Sequence, residues 1–98
     1  MNVYSKYFRG KLGFKDVKTA KLGTHNLEQL YRFFSNQQDR AGQHHTLEMA
    51  LTMFNRARWT GKITEAEVYR QWLVEKLSQP LTNQIEEKAQ DIQLKLVA

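Results

Sequence analysis

The strongest constraint on this chain is a short turn, Thr60-Gly61-Lys62-Ile63, set between two apolar-striped arms. In the first arm, Thr46 to Trp59, the residues Leu47, Ala50, Leu51 and Phe54 recur at helical spacing, and Met49 and Met53 widen the stripe. In the second, Thr64 and Glu67 have the spacing of a capping box, and Val68, Tyr69, Trp72 and Leu73 form the facing stripe, which runs on to Leu77. So short a connection makes the two arms antiparallel neighbours. The hairpin from Thr46 to Leu77 is therefore expected to be the centre of the core, with the remaining chain covering it.

The flanking elements follow from the same periodicity. Leu27, Leu30, Tyr31 and Phe34 fall at i, i+3, i+4 and i+7, and Asn26 with Gln29 has capping-box spacing, so a first helix is expected over about 26–38. Ser35 to His45 is polar, and its latter part reads as a loop around Gly42. Pro80 cannot sit inside a helix without losing a hydrogen bond and clashing with the preceding turn, which ends the third helix near Ser78. Leu81, Ile85, Ala89, Ile92 and Leu96 form a narrow seam on a last helix, either packed on its own domain or zipped against a second copy. The expected fold is all-α: a small bundle of three to four helices at about 26–38, 46–59, 65–78 and 81–96.

Ahead of these lies a basic, aromatic-containing segment, residues 1–23, set apart from a helical domain at 24–98. Asp16 to Gly23 reads as one or two helical turns with an Asp N-cap and a Gly stop. Asn2 to Arg9 fits either a short helix or an edge strand. Lys6, Arg9, Lys11, Lys15, Lys18 and Lys21 face one carboxylate here, Asp16, so this quarter of the chain holds a net charge of five, equal to the formal +5 of the whole. A basic end on a neutral body points to an anionic partner. Tyr4, Tyr7, Phe8 and Phe14 are interleaved with the cations, and such rings stack on unpaired bases. Lysine outnumbers arginine five to one in this segment, which favours diffuse phosphate contact over bidentate base reading.

Other chemistries find less support. With 98 residues and no cysteine, the chain makes one domain without disulfides, thiolate metal sites or a cysteine nucleophile, and this fits a reducing, cytoplasmic setting. No apolar run reaches the roughly 20 residues that span a bilayer, and lysines and Arg9 interrupt any secretory leader after Met1. His44, His45 and Glu48 cluster, but a zinc site needs a further ligand and only His25 remains, so no metal and no cofactor are expected. Glu65 and Glu67 suit the first turn of a helix, and Glu86, Glu87 and Asp91 suit a solvated helix face. No phosphate-binding glycine loop or nucleophile motif stands out, so a binder is expected rather than an enzyme.

Leu30-Tyr31-Arg32 with a downstream helical Phe54 loosely resembles the LYR-motif family of small helical mitochondrial adaptors. That family carries the tripeptide near its N-terminus, whereas here it begins at Leu30, and the match is not adopted. The function expected is non-catalytic contact with nucleic acid or a ribonucleoprotein through Lys6, Arg9, Lys11, Lys15, Lys18, Lys21, Tyr4 and Tyr7. The alternative is a protein–protein adaptor or subunit, self-association included, that uses Trp59, Ile85, Ile92 and Leu96. The near-neutral hairpin is expected to be scaffold, with Trp59 either covering the turn or anchoring a partner.

Overall fold

The computed structural model describes residues 11–79 and 86–97, and among them every regular element is a helix. These are α1 (Val17–Asn36), α2 (Arg40–Trp59), α3 (Ile63–Leu77) and α4 (Glu86–Val97). Short connections reverse the chain twice, so α1 and α3 run parallel with α2 antiparallel between them. α4 packs on α2 and α3. The expected all-α bundle on a central hairpin is the fold observed, with Leu47, Ala50, Leu51, Met53 and Phe54 of α2 buried against Tyr69, Trp72 and Leu73 of α3.

α1 is longer than its sequence suggests. Asp16 caps it, accepting hydrogen bonds from Thr19 N and Thr19 Oγ1 at 2.7 Å each. The helix then runs through Gly23, where a stop was expected, so the division between residues 23 and 24 falls within a helix. Gly23 is buried because Tyr69 approaches it closely: a Cβ at this position would overlap the Tyr69 hydroxyl. That hydroxyl donates to Gly13 O at 2.7 Å and accepts from Gly13 N at 3.2 Å, pinning the extended segment 12–14 across α1 and α3. Asn26 is not a cap but sits mid-helix, its side chain donating to Lys11 O at 2.9 Å.

α1 and α2 are joined by a tight reversal. Gln38 adopts φ 54°, Asp39 N donates to Phe34 O at 2.9 Å and Gln38 N to Ser35 O at 3.0 Å, the two bonds of a Schellman motif. Asp39 then caps α2 by accepting from Gly42 N at 2.9 Å. The loop expected around Gly42 is thus the first turn of α2, with Gly42 pressed on the Phe34 ring. Gln43 and Thr46, polar but buried, are satisfied by bonds to Ser35 Oγ at 2.8 Å and to Gly42 O at 2.9 Å, Gln43 and Thr46 donating.

The α2–α3 turn is a second Schellman motif. Gly61 takes φ 81°, Lys62 N donates to Ala57 O at 2.8 Å and Gly61 N to Arg58 O at 3.1 Å. This geometry starts α3 at Ile63 with Lys62 as N-cap and no side-chain cap bond, so the expected Thr64–Glu67 capping box does not form. Glu67 pairs instead with Arg70, at 2.7 and 2.8 Å. α3 ends at Leu77 with Ser78 as its C-cap, as the position of Pro80 requires. The expected start of the last helix, with Leu81 and Ile85, lies outside the described residues.

Between α1 and α3 lies a polar knot. The Lys76 side chain is only 6 % exposed and ion-pairs with Glu28. Trp72 Nε1 donates to Glu28 Oε1 at 3.0 Å and Arg32 Nε to Glu28 Oε2 at 2.8 Å. The Lys76 ammonium also lies 5.4 Å from the Tyr31 ring centre and 5.7 Å from that of Trp72, and the two rings meet edge to face. Burial pushes the Glu28 carboxyl up, but the hydrogen bonds from Lys76, Arg32 and Trp72 outweigh it and hold the group below its ordinary value.

Candidate nucleic-acid interface

The up-down-up order puts three helix ends together: the N-termini of α1 and α3 and the C-terminus of α2. Lys62 Nζ donates to Lys15 O at 3.0 Å, which fixes the α2–α3 turn beside the start of α1. Lys15 and Lys18 at the start of α1 therefore lie at the same end of the molecule as Arg56, Arg58 and Lys62 of the hairpin, with Lys21 one turn further along α1. Lys18, Lys21 and His25 are exposed and recur at i, i+3 and i+7, so they share the outward side of α1. Arg58 is half-buried, its guanidinium 5.0 Å from the Phe54 ring centre and donating to Asn55 Oδ1 at 3.1 Å.

Three carboxylates lie at this end, Asp16, Glu65 and Glu67, and two of them are occupied. Hydrogen bonds from Thr19 hold the Asp16 carboxyl below its ordinary value and aim it at the α1 backbone. The hydrogen bonds from Arg70 do the same for Glu67, and the pairing raises Arg70 in turn. Glu65 sits half-buried in the first turn of α3. The first turn of α1 has no acidic residue, so Lys18 adds its charge to the positive end of the helix dipole.

Trp59 stands in this basic setting. It is the last residue of α2, fixed by the Schellman bonds below it and by Thr60 Oγ1, which donates to Arg56 O at 3.0 Å and Ala57 O at 3.1 Å. Trp59 is 73 % exposed, the most exposed large hydrophobic residue among those described, and Ile63 beside the turn is also exposed. Trp59 is therefore not a cover over the turn.

The other residues expected to bind are distributed differently. Lys6, Arg9, Tyr4 and Tyr7 lie outside the described residues. Lys11 is held alongside Asn26, about 15 Å along α1 from its N-cap at 1.5 Å per residue, away from Lys15 and Lys18. Lys11, Lys15, Lys18 and Lys21 therefore do not form one compact patch. Of the C-terminal seam, Ile92 is 1 % exposed in the core and Leu96 is half-buried. Leu96 lines a groove of 180 Å³ with Arg70, Val74, Leu77, Ser78 and Gln93. Ile92 is consequently not available to a partner, and Ile85 lies outside the described residues.

Sequence reasoning separated the basic segment from the hairpin, and the geometry joins them. The missed residues are Arg56, Arg58 and Lys62 as companions of Lys15 and Lys18. The available signal was Asp16 with Thr19, which starts α1 early enough to bring the lysines level with the hairpin turn.

Among the described residues no group of three His, Cys, Asp or Glu side chains is placed to hold a metal ion. His44 Nε2 lies 3.1 Å from Glu48 Oε1 in a pair along α2. No helix of the described residues is long and apolar enough to cross a membrane. No family model, curated protein or solved structure matches the chain.

Proposed function

We propose that this is a non-catalytic, cytoplasmic binding protein that contacts nucleic acid or a ribonucleoprotein through its basic end. The observation that carries the reading is the Lys62 Nζ to Lys15 O bond, which brings the turn that holds exposed Trp59 and its flanking cations to the lysine-bearing start of α1, where the carboxylates Asp16 and Glu67 are already hydrogen-bonded and Glu65 is half-buried. Lysine charges of this kind bind phosphates without reading sequence, and their release of counterions makes affinity fall with salt.

A salt titration against a random oligonucleotide tests it. Four to five phosphate contacts predict a slope of log K against log salt of roughly −3 for a single strand, at about −0.7 per contact. Charge reversal at Lys15, Lys18 and Lys62 together should bring the slope towards zero. An absence of binding at low salt, or a slope indifferent to the triple reversal, refutes the proposal.

One observation favours the adaptor as a second reading. Leu22 and Phe33 are both exposed on α1 and stand three turns apart on its outward side. A chain that stays monomeric by light scattering at high concentration loses the self-associating form of that reading.

A further inference from the structure

We propose that the ligand of the basic end is a single strand, DNA or RNA, one of whose bases stacks on the indole of Trp59. The inference rests on the nucleic-acid reading and names its substrate class.

Three features of Trp59 lead there. It is largely in water at 73 % exposure, although the same chain buries its other tryptophan, Trp72, in the core with a hydrogen bond from Nε1 to Glu28. Its backbone is rigid, closed off by Lys62 N to Ala57 O at 2.8 Å and Gly61 N to Arg58 O at 3.1 Å, so little ordering is needed when a flat partner settles on the ring. Cations flank it in sequence, Arg56 and Arg58 before the turn and Lys62 after it, and the Lys62 ammonium is bonded to the Lys15 carbonyl at the start of α1.

An exposed aromatic on a turn flanked by cations suits a ligand that presents both a π-face and a phosphate. A duplex offers its phosphates but keeps its base faces stacked on one another, so it can use the lysines without using Trp59. An unpaired strand uses both. Because every base has a π-face, this contact tolerates any sequence, in keeping with lysines that do not read base edges.

The experiment compares a labelled twelve-nucleotide oligo-dT, the matching oligo-U and a blunt duplex of equal length, by anisotropy and by tryptophan emission. Solvent-exposed Trp59 supplies the red part of that emission and buried Trp72 the blue part. The expected result is quenching of the red part by either single strand. Trp59→Ala should weaken single-strand binding by roughly 5- to 150-fold, the affinity equivalent of stacking one base. Trp59→Phe should retain part of the affinity, and duplex binding should change by less than about twofold. Since Trp59 is exposed, the variants keep the fold, and a far-UV CD melt verifies this.

Equal binding of single strand and duplex, unmoved by Trp59→Ala but weakened by reversal of Lys15 and Lys62, overturns this inference and leaves the nucleic-acid reading standing. No salt-dependent binding to any of the three probes overturns both.

Discussion

Gly23→Ala tests how the N-terminal segment is tied to the bundle. In a regular helix interior this change is worth about 1 kcal/mol of added stability, because alanine restricts the unfolded chain. Here the new Cβ would overlap the hydroxyl of Tyr69, a side chain with 0 % exposure and no room to swing aside. Forcing it costs about 1–3 kcal/mol of overpacking. Displacing the hydroxyl also loses its two hydrogen bonds to Gly13, each worth about 1 kcal/mol. The net expectation is a loss of about 2–4 kcal/mol, or roughly 10–20 °C in Tm for a domain of this size.

Tyr69→Phe alone removes the two hydrogen bonds and should cost about 1–2 kcal/mol. With the hydroxyl gone, the nearest ring atom stands 3.1 Å from the added Cβ, a contact that a small shift relieves. In the Tyr69→Phe background Gly23→Ala should then be neutral or stabilising by up to about 1 kcal/mol, a coupling of about 2–5 kcal/mol between the two sites. Urea denaturation of the four proteins, followed by far-UV CD, measures it. If Gly23 instead ended a helix in a left-handed conformation, alanine would be equally harmful in both backgrounds. A coupling near zero, or a Gly23→Ala protein more stable than the parent, refutes the reasoning.

Two further outcomes follow from the polar knot and the first reversal. Glu28→Gln leaves the buried Lys76 ammonium without its main counter-charge and should cost about 2–3 kcal/mol, less than for a fully enclosed pair because Glu28 keeps one edge in water. Because the folded Glu28 carboxyl titrates below its unfolded value, the stability it contributes is present above the ordinary glutamate range and is lost as pH falls through the lower folded value. Acid unfolding curves should therefore be shallower in Glu28→Gln than in the parent, and equal slopes would count against the pairing. Gln38 is held at a positive φ that glycine adopts freely, so Gln38→Gly should stabilise by about 0.5–1 kcal/mol in the same urea assay.

What the sequence made legible was decided by periodicity, and what it hid was decided by tertiary contact. The stripes of α2 and α3 are in the core almost residue for residue, because apolar spacing at 3.6 residues per turn is a property of the segment itself. The extents of α1 and α2 were hidden because a glycine in a helix and a glycine after one look alike. Within the helices, Tyr69 takes the place of a side chain at Gly23 and Phe34 takes it at Gly42, contacts that only the fold creates. Buried Gln43 read as loop since its partner, Ser35 Oγ, is set by the fold. The Thr64–Glu67 spacing misled because the Schellman motif at Gly61 starts α3 earlier, before a threonine could cap it. At the candidate site, the lysines and Trp59 were each conspicuous in sequence. Their meeting was not, since it depends on the parallel course of α1 and α3.

That meeting has an energetic signature. Among the described residues two helix starts and one helix end are well served: Asp16 caps α1, Asp39 caps α2, and Arg56 and Arg58 face the negative end of α2. The N-terminus of α3 is the exception, with Lys62 at the cap position and no side-chain bond to the free backbone donors. Serine at this position should gain about 1 kcal/mol from capping and lose a smaller amount with the exposed Lys62–Lys15 hydrogen bond, leaving a net gain of about 0.5 kcal/mol. If the basic end binds phosphate, the same substitution removes one contact and makes the salt slope shallower by about 0.7 for a single strand. Lys62→Ser should thus be the more stable protein and the weaker binder, the pattern of a residue kept for function against stability. Denaturation and a salt titration on the one variant decide it. A Lys62→Ser protein that is less stable than the parent, or that binds with an unchanged slope, would show that this lysine is ordinary surface and that the basic end is smaller than the geometry implies.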